Sequence, residues 1–164
     1  MAKVQGLGHV GLYVRDVERE LAFFRDVIGL QVTDRSETGS TFMSARPEEE
    51  HHELLLAPNP EAATGPQQIS FYCGSLAELK EYRQRFLEHG VQFERIVTHG
   101  NAIGIYVFDP EGNRVEVYWH TGVKWPQPFG KQIDLTRSDD EIVAAVTTGH
   151  DAPDPAVAQA AAAR

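Results

Sequence analysis

The chain has 164 residues and a mass of 18.2 kDa, and its 41% hydrophobic content is enough for one domain, or two closely packed halves, to bury a core. A formal charge of −9 and a pI near 5.2 set it against nucleic-acid phosphates, and no Lys/Arg cluster offsets that repulsion. The lone Cys73 excludes an intrachain disulfide, and with neither a signal sequence nor an apolar run of about 18 residues the expected setting is cytoplasmic, with no membrane partner.

Residues 6 to 14 read as a strand in which His9 shares a face with Gly11 and Tyr13. Asp16 supplies an N-cap, and Val17, Leu21, Phe24 and Ile28 recur at helical spacing up to a stop at Gly29. Three strand candidates follow, at Leu30–Thr33, Ser40–Ser44 and His51–Leu56, separated by polar, Gly- or Pro-containing turns. In the last of them His51 is out of phase with His52, Leu54 and Leu56, which predicts a solvent-facing His51. The first unit is therefore βαβββ.

A linker from Pro58 to Pro66 precedes a second pass through the same pattern. Gln67–Cys73 is a strand whose aromatic neighbours predict a buried Cys73 thiol, and Leu76, Leu79, Tyr82 and Phe86 trace a helix ending near His89-Gly90. Gln92–Ile96, Ala102–Phe108 and Asn113–Trp119 are three further strands, the last entered through the turn Asp109-Pro110-Glu111-Gly112. Shifting the first unit by 59 residues lays His9 on Gln68 and Leu12 on Phe71, and five more residues lay Phe42 on Tyr106 and His52 on Glu116. The expected fold is thus α+β, two tandem βαβββ units (5–58 and 66–120) forming a curved mixed sheet around a metal or ligand cavity.

Glu116 alternates with Val115 and Val117, and a lone Glu in such a strand ordinarily faces solvent. The repeat changes its meaning. It sets His9, His52, Gln68 and Glu116 at matching places of a pseudo-symmetric sheet. Imidazole, carboxylate and amide donors together suit a divalent cation with positions left open for water and substrate.

Gly8-His9-Val10, the helix ending Val27-Ile28-Gly29-Leu30, and Asp109-Pro110-Glu111-Gly112-Asn113-Arg114-Val115-Glu116 resemble the vicinal oxygen chelate superfamily of glyoxalases, bleomycin resistance proteins and extradiol dioxygenases. The resemblance spans residues 5 to 120 and looks most like single-domain extradiol dioxygenases. It implies His9 and Glu116 as metal ligands, with Fe²⁺ as the ion and Mn²⁺, Zn²⁺ or Ni²⁺ as alternatives. It also implies that His52 does acid-base work, and that Thr98-His99-Gly100 and Tyr106, ten residues before Glu116, contact the hydroxyls of a catechol. Where those enzymes carry a second ligand His, this chain has Gln68, whose amide oxygen is a weaker Fe²⁺ ligand; His52 is a possible fourth ligand. The function implied is metal-dependent ring cleavage of an aromatic diol by dioxygen, in a homodimer. The alternatives are a glyoxalase- or epimerase-type enzyme and a metal-free small-molecule-binding resistance protein.

Residues 121–148 form an extension in which Trp125 and Phe129 must pack on the domain, on a second chain or over the cavity mouth, and Asp139–Val146 reads as a short capped helix. The Gly-, Pro- and Ala-rich stretch 149–164 is expected to fray. His89, His120 and His150 carry no specific signal.

Overall fold

A computed structural model describes residues 1–61, 65–108 and 112–162, and within them the side chains of all but Phe23, Val27 and Ile28. The turn residues Asp109, Pro110 and Glu111 and part of the linker lie outside the described residues. Elements follow one another as β1 (Gly6–Val14), α1 (Val17–Phe23), β2 (Gln31–Arg35), β3 (Thr41–Ser44) and β4 (Leu54–Pro58), then β5 (Gly65–Cys73), α2 (Leu76–Glu88), β6 (Gln92–Thr98), β7 (Ala102–Phe108) and β8 (Arg114–His120). This is the βαβββ order, run twice, in an α+β chain. After it come β9 (Lys131–Gln132), α3 (Asp139–Ala144) and α4 (Pro155–Ala162). The chain divides into two compact units, residues 8–69 and residues 1–7 with 70–164.

In the unit of residues 8–69 the strand order is β2-β3-β4-β1-β5. β1 runs parallel to β4, with Val10 opposite Leu54 and Leu12 opposite Leu56, while β4, β3 and β2 are antiparallel neighbours. Asp16 caps α1 by accepting from the Arg19 amide at 3.0 Å, which satisfies a donor the first turn leaves without a partner. Past Phe23 the helix widens into one π-helical turn, Phe24–Ile28, and Gly29 ends it at φ +93°, a conformation glycine adopts without a Cβ clash. Val14, Leu21, Met43, Leu54 and Leu56 form the core of this unit.

The other unit orders its strands β5-β8-β7-β6-β9, with α2 capped by Ser75. Cross-strand neighbours share a face, so Ile96, Ile105 and Val117, opposite one another on β6, β7 and β8, all enter the core with Leu79, Tyr82 and Cys73. α3 forms where a capped helix is predicted, its Ser138 and Glu141 making a capping box.

The tail departs from expectation. Residues 155–162 are helical, and Asp154 just before them is fully buried, where Arg83 holds it through contacts of 2.6, 2.8 and 3.0 Å. The amides of Leu135 and Ala156 also donate to it at 2.9 Å. An alanine run carries no local mark of such an anchor, because Arg83 lies 71 residues away in the chain.

Candidate functional site

On β1 the alternation puts His9 and Gly11 on one buried face, and the bare Cα of Gly11 leaves room for Gln67 and Gln68. Gln68 is buried too, and its Nε2 lies 2.8 Å from Nε2 of His9. An amide N–H can only donate, so the imidazole nitrogen it meets carries a lone pair. That lone pair is available to a cation, and a half-turn of the amide presents its oxygen instead. The His52 ring packs on His9 at 4.2 Å between centroids, with Phe42 edge-on to it at 5.0 Å. The structure thus brings together three of the expected residues, His9, Gln68 and His52, within residues 8–69.

His51 is not solvent-facing. Its Nδ1 lies 2.9 Å from Nδ1 of His52, so one of the two carries hydrogen and the other accepts it, and its ring packs on Phe42. The strand-phase argument fails because β4 begins only at Leu54, leaving both histidines in the preceding bend. That bend is set by Glu53, whose carboxylate accepts from the Ala45 amide at 2.8 Å and from Arg46 at 2.9 Å. These bonds hold its carboxyl below the ordinary carboxylate range, the Ala45 amide contributing most.

In the unit containing residues 70–164, Glu116 lies directly opposite Tyr106, and Tyr106 directly opposite Arg95, so β8, β7 and β6 carry one row of three polar side chains on one face. Glu116 is only 2% exposed, far from the solvated carboxylate an isolated alternating strand implies. Gly104 explains how it fits: a Cβ there would fall on Glu116 Oε1 and come within 3.1 Å of the Tyr106 ring. Burial pushes the Tyr106 hydroxyl well above its ordinary pKa of 10.0, and the charge of Glu116, to which that hydroxyl is hydrogen-bonded, adds to the effect; Arg95 opposes it. Tyr106 is therefore a neutral phenol.

His99 joins the same row. Its Nε2 lies 3.1 Å from the Tyr106 hydroxyl, and its Nδ1 lies 2.6 Å from the Phe129 carbonyl. A carbonyl only accepts, so Nδ1 carries hydrogen, and Nε2 is the ring nitrogen that faces Tyr106. The extension holds this loop: Gln127 donates to the His99 carbonyl at 2.7 Å, and Gly100, at φ +77°, leaves the space that Trp125 fills. Trp125 and Phe129 pack edge to face at 5.8 Å. The first of the three placements the sequence allows, packing on the domain, is the one observed, although Trp125 stays 39% exposed.

Arg95 is the residue that sequence reading missed. Its guanidinium lies 4.2 Å from the Tyr106 ring centroid, and its charge opposes the rise of the Tyr106 pKa. Glu94 is an extra residue in β6, a bulge between the pairs Phe93–Val107 and Arg95–Tyr106, and it turns Arg95 onto the face of Tyr106. A signal existed: Phe93 and Ile96 are core residues three apart, which a regular strand cannot place on one face. Among the described residues no three His, Cys, Asp or Glu side chains gather as a metal cluster. Residues 8–69 offer an imidazole and an amide as donors, and the unit containing residues 70–164 offers a buried carboxylate; each of these donor types suits a divalent ion of the hard to borderline kind.

Residues 6–117 match the sequence profile of the Glyoxalase/Bleomycin resistance protein/Dioxygenase superfamily. The chain belongs to this superfamily. Among its curated relatives are a catechol-2,3-dioxygenase of Bacillus subtilis, 30% identical over 121 residues that make up 68% of this chain and 40% of the relative. Another is a manganese-dependent 2,3-dihydroxybiphenyl 1,2-dioxygenase of Geobacillus genomosp. 3, 36% identical over 82% of this chain and 42% of the relative. The chain spans less than half the length of both. Among solved structures, the Mn(II)-bound glyoxalase of Novosphingobium aromaticivorans shares the fold at a TM-score of 0.66 and 23% identity, over 79% of this chain and 43% of that one. The halotolerant catechol dioxygenase BphC does so at 0.62 and 26%, over 77% and 44%. Superfamily membership confirms the α+β vicinal oxygen chelate fold expected from the repeat. No helix among the described residues is long and apolar enough to cross a membrane.

Proposed function

We propose that this chain is a metal-dependent extradiol-type dioxygenase that cleaves a catechol-like ring. The observation that carries the reading is the Glu116–Tyr106–His99 row, a buried carboxylate, a buried neutral phenol and a half-buried imidazole in sequence, in a chain whose relatives include catechol dioxygenases. His9, Gln68 and Glu116 would hold the ion, Fe²⁺ or Mn²⁺, with His52 as a possible fourth ligand and Zn²⁺ or Ni²⁺ as alternatives. When bound, such an ion supplies Lewis acidity toward a chelating diol and redox access to dioxygen.

The remaining chemistry belongs to the side chains. Tyr106 has one hydrogen and two neighbours that accept it, Glu116 and His99. The phenol can turn its hydrogen to Glu116, to His99 or to a diol oxygen, and would so orient the substrate. His52, whose Nδ1 is held by His51, takes up or returns the proton at a diol oxygen. Phe42 and the packed His9 ring exclude water from one side of His52. The working unit in this reading is a homodimer binding a small-molecule diol and dioxygen.

Anaerobic loading with Fe²⁺ or Mn²⁺, followed by oxygen and a panel of catechols, is expected to give a yellow ring-opened product, and none with His9→Ala. Absence of product from every diol with either ion, in protein that has bound the ion, refutes the reading. Gln68 favours a second one: where an oxygen-binding ion is preferred over Fe²⁺, a glyoxalase- or epimerase-type proton transfer suits the amide better. Turnover of a hemithioacetal that a chelator abolishes would establish it.

A further inference from the structure

β2 breaks its period at one place. Val32 pairs with Met43 and Asp34 with Phe42, so Thr33 is an extra residue between them, and the bulge carries Asp34 onto the sheet face that Phe42 occupies. β6 uses the same device in the other unit, where Glu94 brings Arg95 opposite Tyr106, the residue that the repeat lays on Phe42. On its face Phe42 packs against both His51 and His52, at 5.3 and 5.0 Å between ring centroids. The Arg35 amide donates to Oδ1 of Asp34 at 2.7 Å and so orients the carboxylate. The other oxygen, Oδ2, lies 3.5 Å from Nε2 of His51.

The two histidines meet through like atoms, Nδ1 to Nδ1 at 2.9 Å, so one nitrogen of that contact carries hydrogen and the other a lone pair. Neutral rings can satisfy this in two arrangements, and in each of them one ring has its hydrogen on Nδ1 and the other on Nε2. The intrinsic preference of imidazole for one tautomer therefore cancels, and the surroundings choose. At Nε2 of His51 those surroundings are a carboxylate oxygen, which attracts an N–H and repels a lone pair. With the two side chains only 23% and 21% exposed, solvent screens this difference weakly.

We propose that Asp34 is a positioning residue for His52. By holding the hydrogen of His51 on Nε2, it makes Nδ1 of His51 the acceptor and Nδ1 of His52 the donor, and leaves the lone pair of His52 on Nε2. The inference rests on the reading of His52 as the group that takes up a proton from the diol, because only this arrangement gives His52 a basic nitrogen outside its contact with His51. The reverse arrangement puts hydrogen on that nitrogen and turns His52 from a base into a donor.

The test is a long-range proton–nitrogen correlation spectrum of the full chain, labelled with ¹⁵N-histidine and cleared of metal by a chelator, at about pH 8, above the ordinary imidazole range. His51→Gln and His52→Gln assign the two rings by the signals they remove, and the shift of each ring nitrogen shows whether it carries hydrogen. His51 is expected with hydrogen on Nε2 and His52 with hydrogen on Nδ1, in about tenfold excess over the reverse. Asp34→Ala should bring that ratio to within about threefold of unity, and Asp34→Lys, which faces Nε2 of His51 with a donor, should reverse it. β2 is an edge strand, where Lys is common, and melting temperatures check both variants. At saturating Mn²⁺, Asp34→Lys should lower kcat for the diol about tenfold, as the fraction of His52 with a basic Nε2 falls, and leave KM within about threefold. Hydrogen on Nε2 of His52 in the wild type, hydrogen on both nitrogens of either ring, or a ratio that neither variant moves overturns the proposal. So does a ratio that reverses while kcat stays unchanged. An assignment that follows residue 34 in a chain that cleaves no diol would refute the dioxygenase reading and leave the orientation of His52 by Asp34 standing.

Discussion

Gly104→Ala tests the arrangement around Glu116 most directly. The position needs no positive φ, so the variant strains no backbone, and the whole effect comes from one methyl group. That methyl would fall on Glu116 Oε1, 3.3 Å from its Cδ and 3.1 Å from Tyr106 Cε2. Neither neighbour has room to retreat, since Glu116 and Tyr106 are both buried and bonded to each other. Overpacking of this kind costs about 1–3 kcal/mol. For a chain of this size each kcal/mol lowers Tm by about 2–4 °C, so a drop of about 2–12 °C is expected in thermal melts. The same displacement, expressed at the carboxylate, should weaken Mn²⁺ binding about 5- to 100-fold by titration. Gly65→Ala is the control, because an added Cβ there meets nothing within 4 Å. Glu116→Asp combined with Gly104→Ala should regain part of the lost Tm by shortening the clashing side chain. A Gly104→Ala protein that melts and binds Mn²⁺ like the wild type would show that Glu116 does not lie over Gly104.

Asp154→Ala leaves Arg83 charged beside an emptied buried site and should cost about 3–5 kcal/mol in urea or thermal unfolding; a loss under about 1 kcal/mol would mean the tail is not anchored there. Tyr106→Phe removes the hydroxyl that faces both His99 and Glu116, and kcat/KM for the diol cleaved should fall about 100-fold, which steady-state kinetics on the metal-loaded protein would measure. At alkaline pH the buried Cys73 thiol, pushed up to about 11 mainly by desolvation, contributes stability that is present below its ordinary 9.0 and is lost as pH rises from there to about 11; melts of Cys73→Ala should show a shallower decline over that window. Glu53 has the opposite sign. Its lowered pKa contributes stability above its ordinary 4.5 that is lost as pH falls below it, so Glu53→Gln should flatten the acid limb of the Tm profile.

Much of this protein is written in short-range patterns. Period-two alternation in Gly8–Val14 and Arg114–His120 sets His9 and Glu116 each on a definite sheet face, because successive strand residues must point to opposite sides. Asp16, Ser75 and the Ser138/Glu141 box start helices where unpaired amides need acceptors. The repeat itself, read from pattern with few identities, led to the α+β superfamily fold and to the grouping of His9, Gln68 and His52. What the pattern could not carry depends on contacts between distant residues or on a break in period. Asp154 is ordered by Arg83, 71 positions earlier; His51 is half-buried because β4 starts late; and one inserted residue, Glu94, reverses the face of Arg95. Local sequence determines which way each side chain points while the period holds. Only the folded chain decides where the period is broken, because the partners that compensate for the break come from other strands.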